Sequence, residues 1–195
     1  MRRKELLQKK MLEDMEIGYL DRDIVDVLKK LFENRDLYTI SSCSGRITFI
    51  DADMPWHRRN SSVVFKKHFP ITEDEFMYFY KQPTLRNLWL VVTGPIIHVS
   101  SATPSEARKL LVMAREAGMK HSGIISISRT KGIIIELKTG VRLTILLKIH
   151  GESVVRCSEI PGIVKVANTA LLEGKERLNR FRKVLGLKPV KYRAF

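Results

Sequence analysis

Apolar residues recur at helical spacing in five segments of the chain. In the second segment the apolar side chains share one face at i, i+4, i+7 and i+8: Ile24, Leu28, Leu31 and Phe32. Local signals mark helix ends, because Gly18 stops the first segment and Thr72 with Glu75 forms a capping box before the third. The pattern predicts helices at residues 3–17, after Asp21 as N-cap, after Thr72, at 104–117 and at 161–185.

Runs rich in β-branched and aromatic residues lie between these helices as neighbouring pairs. They predict a hairpin over residues 38–49 and strands at 63–65, 88–93, 96–101, 122–129, 133–137 and 141–147. Paired strands between helices favour an α+β fold with a mixed, mostly antiparallel sheet flanked by helices. The fold is not Rossmann-like, and no G-x-G-x-x-G follows a strand and no Walker A sequence occurs.

The length of 195 residues fits one large domain or two small ones, and we expect a single domain over residues 1–195. The most apolar segment, residues 88–99, is broken by Thr93-Gly94-Pro95 and is too short to span a membrane. The N-terminus lacks the continuous apolar region of a secretory signal. Cys43 and Cys157 are distant in sequence and indicate neither a disulfide framework nor a zinc site. We therefore expect a cytoplasmic protein without a metal or a membrane contact, and the sequence does not indicate its oligomeric state.

The net charge of +14 and the pI near 10.0 favour a polyanionic partner, because each lysine or arginine that meets a phosphate releases condensed counterions. Positive residues are dense in the last stretch of the chain: Lys175, Arg177, Arg180, Arg182, Lys183, Lys188, Lys191 and Arg193. A second group comprises Arg58, Arg59, Lys66, Lys67 and His68. RNA is favoured over DNA because no helix-turn-helix or zinc-finger spacing occurs. The alternative is a protein that is cationic only because its organism's proteins are generally basic.

The loop within the predicted hairpin is the most unusual part of the chain. It joins hydroxyls, backbone donors and a guanidinium in one run: Ser41, Ser42, Cys43, Ser44, Gly45 and Arg46. Such a loop is suited to a carboxylate, a phosphate or another polar ligand. An ordinary serine-rich surface turn explains the same residues equally well. Cys43 is not predicted as a nucleophile, because a catalytic thiolate needs an activating base that the sequence does not place beside it.

Several other residues have both a functional and a structural explanation. His68 and His98 have the chemistry of acid–base groups, although a lone histidine is more often structural. Asp21 and Asp23 offer carboxylates for proton removal, whereas a helix N-cap also explains Asp21. Trp56 lies in a basic loop and is a candidate for stacking on an RNA base.

Short sequence motifs that follow one another in a fixed order cover almost the whole chain. The specific ones are S-S-C-S-G-R-I at 41–47 and P-I-I-H-V at 95–99. The others are D-x-D at 21–23, a strand ending in His68, A-x-E-A-G-M-K at 114–120, S-G-I at 122–124, Arg129, V-A-N at 166–168 and E-R-L-x-R-F at 176–181. In these motifs the chain resembles the family of tRNA wybutosine-synthesizing protein 3. It departs from the family pattern in the loop at 51–60 and at Gly174, where the family usually has asparagine.

The resemblance implies transfer of a methyl group from S-adenosylmethionine to N4 of a tricyclic guanosine derivative. This nucleoside carries an aminocarboxypropyl group and lies immediately 3′ of the anticodon in phenylalanine tRNA, tRNA(Phe). The implied residues for the cofactor or the aminocarboxypropyl group are Ser41, Ser42, Cys43, Ser44, Gly45 and Arg46. The candidates for proton removal are Asp21, Asp23, His68 and His98. The candidates for RNA contact are Trp56, Arg58, Arg59, Lys66, Lys67, Arg129, Asn168, Arg177 and Arg180.

Two other functional classes remain open from the residues alone. A non-catalytic RNA-binding module would bind tRNA with a steep salt dependence and would not bind S-adenosylmethionine. A basic scaffold in a ribonucleoprotein would show no preference for one tRNA. Binding of S-adenosylmethionine would distinguish the methyltransferase from both of these classes.

Overall fold

The structure is a computed structural model that describes residues 2–57 and 59–192. Within this part the chain forms five α-helices: α1 Arg2–Glu16, α2 Val25–Glu33, α3 Glu73–Lys81, α4 Pro104–Glu116 and α5 Ile160–Val184. Its strands are β1 Leu37–Cys43, β2 Arg46–Ala52, β3 Ser62–Lys67, β4 Asn87–Thr93, β5 Ile96–Ser101, β6 Gly123–Ser128, β7 Gly132–Lys138, β8 Arg142–Ile149 and β9 Glu152–Ser153. In the same residues, no helix is both long enough and apolar enough to cross a bilayer.

The predicted α+β class is confirmed, and all strand pairs in the two sheets are antiparallel. The capping box of α3 is present, since the Glu75 N–H donates to the Thr72 side chain and the Thr72 N–H donates to the Glu75 carboxylate. Local sequence signals therefore identified the elements well. The strands divide between two sheets, however, where the sequence pattern indicated one.

The chain forms two compact units, each assembled from segments distant in sequence. The first contains residues up to Ser44 together with Pro95–Gly140 and Lys175–Lys191. The second contains Gly45–Gly94, Val141–Gly174 and Tyr192. A glycine lies at four of the points where the chain passes between units: Gly45, Gly94, Gly140 and Gly174. The expectation that residues 1–195 act as a single domain stays a prediction.

The first unit has a four-stranded sheet in the order β1-β5-β7-β6. One face of this sheet packs into a core with α2, α4 and the last part of α5, formed by Ile97, Val99, Ile135, Leu137, Leu28, Leu110 and Leu178, among others. Alternate residues of a strand point to opposite faces. His98 and Glu136 therefore lie on the face opposite to this core.

The second unit has a five-stranded sheet in the order β3-β2-β4-β8-β9. Its core contains Phe49, which is fully buried and meets Phe76 and Phe65 edge-on, with ring centroids 5.1 and 5.9 Å apart. The first part of α5 adds Val164 and Leu171 to this core. One long helix thus supplies apolar residues to both cores.

The hairpin predicted over residues 38–49 is wrong. β1 pairs with β5 in the first unit, whereas β2 pairs with β3 and β4 in the second. Ser44 and Gly45 carry the chain from one sheet to the other, and Gly45 has φ of +97°, a conformation that favours glycine. A strand–turn–strand pattern specifies two strands, but their partners depend on residues remote in sequence.

We predict that Phe49→Ala lowers the free energy of unfolding by about 3–5 kcal/mol, because it empties a closely packed aromatic site. Tyr78→Ala is the matched control: Tyr78 is 63% exposed, and its loss should change the free energy by no more than about 0.5 kcal/mol. Urea unfolding followed by circular dichroism measures both. Equal losses in the two variants would contradict the role of Phe49 in the core.

Candidate functional site

Both aspartates of the D-x-D sequence are linked to Ser44, the residue after β1: Asp21 directly and Asp23 through Lys175. The Ser44 N–H donates to Asp21 Oδ2 at 2.7 Å. Lys175 Nζ donates to Asp23 Oδ2 at 2.6 Å and to Ser44 Oγ at 2.7 Å. Lys175 is 1% exposed and Asp23 is 7% exposed. We refer to Asp21, Asp23, Ser44 and Lys175 as the Ser44 cluster.

The Ser44 cluster holds an ammonium group away from water. Burial lowers the pKa of Lys175, and the negative charges of Asp23 and Asp21 oppose part of this effect. A buried cation needs a counterion, and Asp23 supplies one. Within residues 2–57 and 59–192, the second carboxylate oxygen of Asp23, Oδ1, has no hydrogen-bond partner. The ion pair explains Asp23 structurally, and its part in proton removal stays a prediction.

Asp21 occupies the N-cap position predicted for it, but of a short 3₁₀ turn, Arg22–Ile24, and its carboxylate makes no capping hydrogen bond. The α-helix itself begins at Val25. The carboxylate is instead directed to the Ser44 backbone, so that Asp21 fixes the end of β1.

A second buried cation anchors α5 in the first unit. Arg182 is fully buried, and its Nε donates to Asp26 Oδ2 at 2.9 Å. Its guanidinium also donates to the Asp23 carbonyl oxygen and, at 3.2 Å, to Asn179 Oδ1. Lys175 and Arg182 therefore belong to the interior of the protein, although the sequence places them in its most basic stretch.

Three polar residues lie side by side across the sheet of the first unit. Ser41, His98 and Glu136 occupy paired positions on β1, β5 and β7. Ser41 Oγ is 2.8 Å from His98 Nδ1, and His98 Nε2 is 3.3 Å from Glu136 Oε1. A carboxylate only accepts, so in the neutral imidazole Nε2 carries the hydrogen and Nδ1 accepts from the Ser41 hydroxyl. We refer to these three residues as the Ser41 relay.

A cavity of about 320 Å³ lies next to Ser41 in the first unit. We call it the α1 cavity, because one face of α1 forms much of its wall. Its apolar lining includes Leu7, Met11 and Leu28. Its polar lining includes Lys10, Asp14, Ser41 and Ser42. The lining therefore combines apolar and polar side chains, and the volume is within the usual range of small-molecule sites.

The predicted cofactor-binding residues divide between the two units. Ser41 to Ser44 belong to the first, where Ser41 and Ser42 line the α1 cavity and Cys43 is half-buried. Gly45 and Arg46 belong to the second, where the Arg46 side chain is exposed. His68, also in the second unit, donates from Nδ1 to the Gly45 carbonyl oxygen at 3.0 Å. In its neutral form His68 therefore keeps Nε2 as the unprotonated nitrogen.

The predicted RNA-binding residues of the second unit have different surroundings. Trp56 is 65% exposed, and Arg59 and Lys66 are also exposed. Lys67 pairs with Glu75, with Nζ 2.5 Å from Oε1. The side-chain amide of Asn168 donates to the Ile71 carbonyl and accepts from its N–H, which explains this residue without RNA. Arg58 lies outside the described residues.

The remaining predicted RNA-binding residues belong to the first unit. Arg129 is exposed in the turn between β6 and β7. Arg177 is half-buried on α5, whereas Arg180 is exposed and its Nε lies 3.5 Å from the Glu176 carboxylate.

Three residues of these sites were not predicted from the sequence: Lys10, Asp14 and Glu136. Lys10 and Asp14 lie on the same face of α1 as Leu7 and Met11, but they resemble ordinary solvated charges in the sequence. Glu136 had a usable signal, because it is a lone acidic residue within the apolar run of β7. What identified it was its register opposite His98.

Comparison with known proteins gives consistent matches over the chain. The sequence profile of the family described as "Methyltransferase TYW3" matches residues 2–186. A relative from Saccharolobus solfataricus, named tRNA(Phe) 7-((3-amino-3-carboxypropyl)-4-demethylwyosine(37)-N(4))-methyltransferase, is 44% identical over 177 residues, which are 90% of this chain and 84% of the relative. A relative of the same name from Aeropyrum pernix is 34% identical over 175 residues, or 90% and 93% of the two chains.

Solved structures agree with these sequence matches. The structure of the PH1069 protein from Pyrococcus horikoshii superposes with a TM-score of 0.89 at 31% identity, and the match covers 95% of each chain. A protein from Aeropyrum pernix gives a TM-score of 0.74 at 32% identity, covering 87% of this chain and all of the other.

We predict that Lys175→Met lowers the free energy of unfolding by about 3–5 kcal/mol, because it leaves the Asp23 carboxylate buried without its counterion. The double variant Asp23→Asn/Lys175→Met removes both charges and should recover part of this loss. Denaturant titration compares them, with Lys183→Met as the control at an exposed position of the same helix. A double variant no more stable than the single one would contradict the importance of the ion pair.

Proposed function

The chain belongs to the methyltransferase TYW3 family, and from this membership we propose that it methylates N4 of 7-(3-amino-3-carboxypropyl)-4-demethylwyosine at position 37 of tRNA(Phe). The proposed methyl donor is S-adenosylmethionine, and the proposed binding region on the tRNA is the anticodon loop. The reaction would take place in the cytoplasm. The supporting observation in the structure is Ser41, which lines the α1 cavity and at the same time begins the Ser41 relay.

Methyl transfer to nitrogen makes two demands on the protein. S-adenosylmethionine, when bound, supplies a methyl group on a sulfonium that is reactive enough to need no further activation. The protein must hold the donor and the nucleophilic nitrogen in near-attack geometry, because positioning is a large part of the achievable acceleration. It must also receive the proton that the nitrogen loses, which calls for a base within hydrogen-bond reach.

The α1 cavity fits the donor in its chemistry. The apolar side chains of Leu7, Met11 and Leu28 suit an adenine ring. The Asp14 carboxylate is an acceptor for ribose hydroxyls, and Lys10 offers a positive charge to the methionine carboxylate. Ser42 adds a hydroxyl at the same wall. These residues would bind and orient the donor next to Ser41.

The Ser41 relay provides a path for the proton. With its hydrogen directed to His98 Nδ1, the Ser41 oxygen keeps lone pairs that accept from an N–H of the substrate. The proton of N4 passes to Ser41 Oγ as the hydroxyl proton passes to His98 Nδ1. The resulting imidazolium is stabilised by the Glu136 carboxylate, at 3.3 Å from Nε2. Asp21, Asp23 and His68 stay alternative candidates for the base.

We predict saturable one-site binding of S-adenosylmethionine in calorimetric titration, weakened about tenfold by Asp14→Asn, because the ribose would lose a charged acceptor. Glu13→Gln is the matched control, since Glu13 is an exposed neighbour on the same helix. Arg46→Ala should also weaken the binding of S-adenosylmethionine if Arg46 contacts the cofactor, as the sequence predicts. Absence of binding by the unmodified chain, with and without tRNA, would support a non-catalytic RNA-binding module instead.

We predict that His98→Asn lowers kcat for methylation by about 100-fold, the scale of a lost general base. Glu136→Gln should lower kcat by about tenfold, because a neutral amide stabilises the imidazolium less well than a carboxylate. Both variants should bind S-adenosylmethionine as tightly as the unmodified chain.

Single-turnover kinetics measure these effects, with Glu116→Gln as the control at an exposed glutamate of the same unit. Nitrogen NMR of the His98 ring checks the tautomer directly and does not depend on activity. An unchanged kcat in His98→Asn would remove the relay from the mechanism.

A further inference from the structure

Side chains from three strands make hydrogen bonds to the backbone of the turn between β6 and β7. The Lys131 carbonyl oxygen accepts from Ser100 Oγ at 2.5 Å and from Tyr38 Oη at 3.3 Å. Ser128 Oγ accepts from the backbone N–H groups of Thr130 and Lys131, each at 3.3 Å. Side chains from β1, β5 and β6 thus hold this one turn.

The end of the turn is constrained as well. Gly132 has φ of +74°, and a Cβ at this position would lie 2.5 Å from the Ser101 carbonyl oxygen. Only glycine suits a left-handed residue packed this closely against a neighbouring strand. The side chains of Arg129, Thr130 and Lys131 nevertheless remain exposed. The fold therefore presents two cations on a fixed backbone.

More cations converge on the same place in the first unit. A cavity of about 930 Å³ is lined by Arg129 and Lys131 and also by Arg35 and Lys4, with Tyr38 and Ser100 in its wall. We call it the basic cavity. Arg35 is exposed, like the two cations of the turn.

The acidic residues of the basic cavity do not cancel its charge. Asp36 and Glu5 also line it, so that four cations face two carboxylates. Lys4 donates to the Asn34 carbonyl oxygen, and burial lowers its pKa while the charge of Asp36 raises it. Asp36 is thus the acidic neighbour of the most buried cation. Arg35, Arg129 and Lys131 are left as the cations best placed for a ligand from solution.

We propose that the basic cavity binds backbone phosphates of the tRNA on nucleotides that flank the modified base. Arginine and lysine on a fixed frame suit phosphodiesters, because two or three charge-assisted hydrogen bonds form without ordering a loop first. The cavity also shares β1 with the proposed reaction site, since Tyr38 and Ser41 are three residues apart, or about 10 Å along the strand. This inference rests on the proposed function. It adds Arg35 and Lys131 to Arg129, which the sequence already predicts as an RNA contact.

The test is the salt dependence of tRNA(Phe) binding by filter retention. We expect Arg129→Gln/Lys131→Gln to weaken binding at least tenfold at moderate salt. We also expect the slope of log K against log salt to become shallower by about 1.4, because two phosphate contacts to a single-stranded loop are lost. Arg35→Gln alone should reduce the slope by about 0.7. Arg108→Gln, at an exposed position of α4, is the matched control and should change neither quantity.

Two further measurements identify the ligand and separate this inference from the proposed function. Inorganic phosphate should compete only weakly with tRNA, which distinguishes a site for the RNA backbone from a site for the free ion. Titration with S-adenosylmethionine should give the same affinity for the double variant and the unmodified chain, so that failure of this inference is separable from failure of the proposed function. The inference is overturned if the double variant keeps the affinity and salt slope of the unmodified chain, or if Arg108→Gln loses as much as the double variant.

Discussion

The buried contact of Lys175 with Asp23 and Ser44 is the constraint on which the candidate site depends. An ammonium group with 1% exposure is tolerated only where carboxylate and hydroxyl oxygens surround it, so this contact fixes the positions of all three side chains. Ser44 is the residue at which the chain leaves the first unit after β1. Fixing it also fixes the register of Ser41 and Ser42, a few residues earlier on the same strand.

The same contact brings together candidate site residues that are scattered along the sequence. The D-x-D residues are near the N-terminus, the hydroxyls follow about twenty residues later, and Lys175 comes from the last helix. Arg182 repeats the arrangement two turns further along α5, where it binds Asp26 and the Asp23 backbone. The sequence predicts this helix as a basic RNA-binding surface, but two of its cations, Lys175 and Arg182, are buried and hold the N-terminal elements in place.

The sequence predicted those features that depend on local chemistry. The helices, the capping box at Thr72 and the α+β class follow from spacing and capping residues. Ser41 and Ser42 were identified as candidates because they belong to an unusual run of hydroxyls and backbone donors, and His98 because an imidazole can act as an acid–base group. The division into two sheets was not predictable in this way, because β1 and β2 each pair with strands far away in the chain. Glu136 and Asp14 were missed for the same reason: only the tertiary structure places Glu136 beside His98 and Asp14 in the wall of the α1 cavity.

The charge of the protein illustrates the limit of composition as a guide to binding. A net charge of +14 favours a polyanion, but it does not distinguish a cation that binds RNA from one that stabilises the fold. Lys175 and Arg182 are interior, Lys67 pairs with Glu75, and Arg180 lies beside Glu176. The cations on the turn between β6 and β7 are exposed, and the side chains of Tyr38, Ser100 and Ser128 hold the backbone of this turn fixed. The turn loses its conformational entropy when the protein folds, so ordering it adds little cost when a ligand binds. Such preorganisation makes the binding free energy more favourable than on a flexible basic surface.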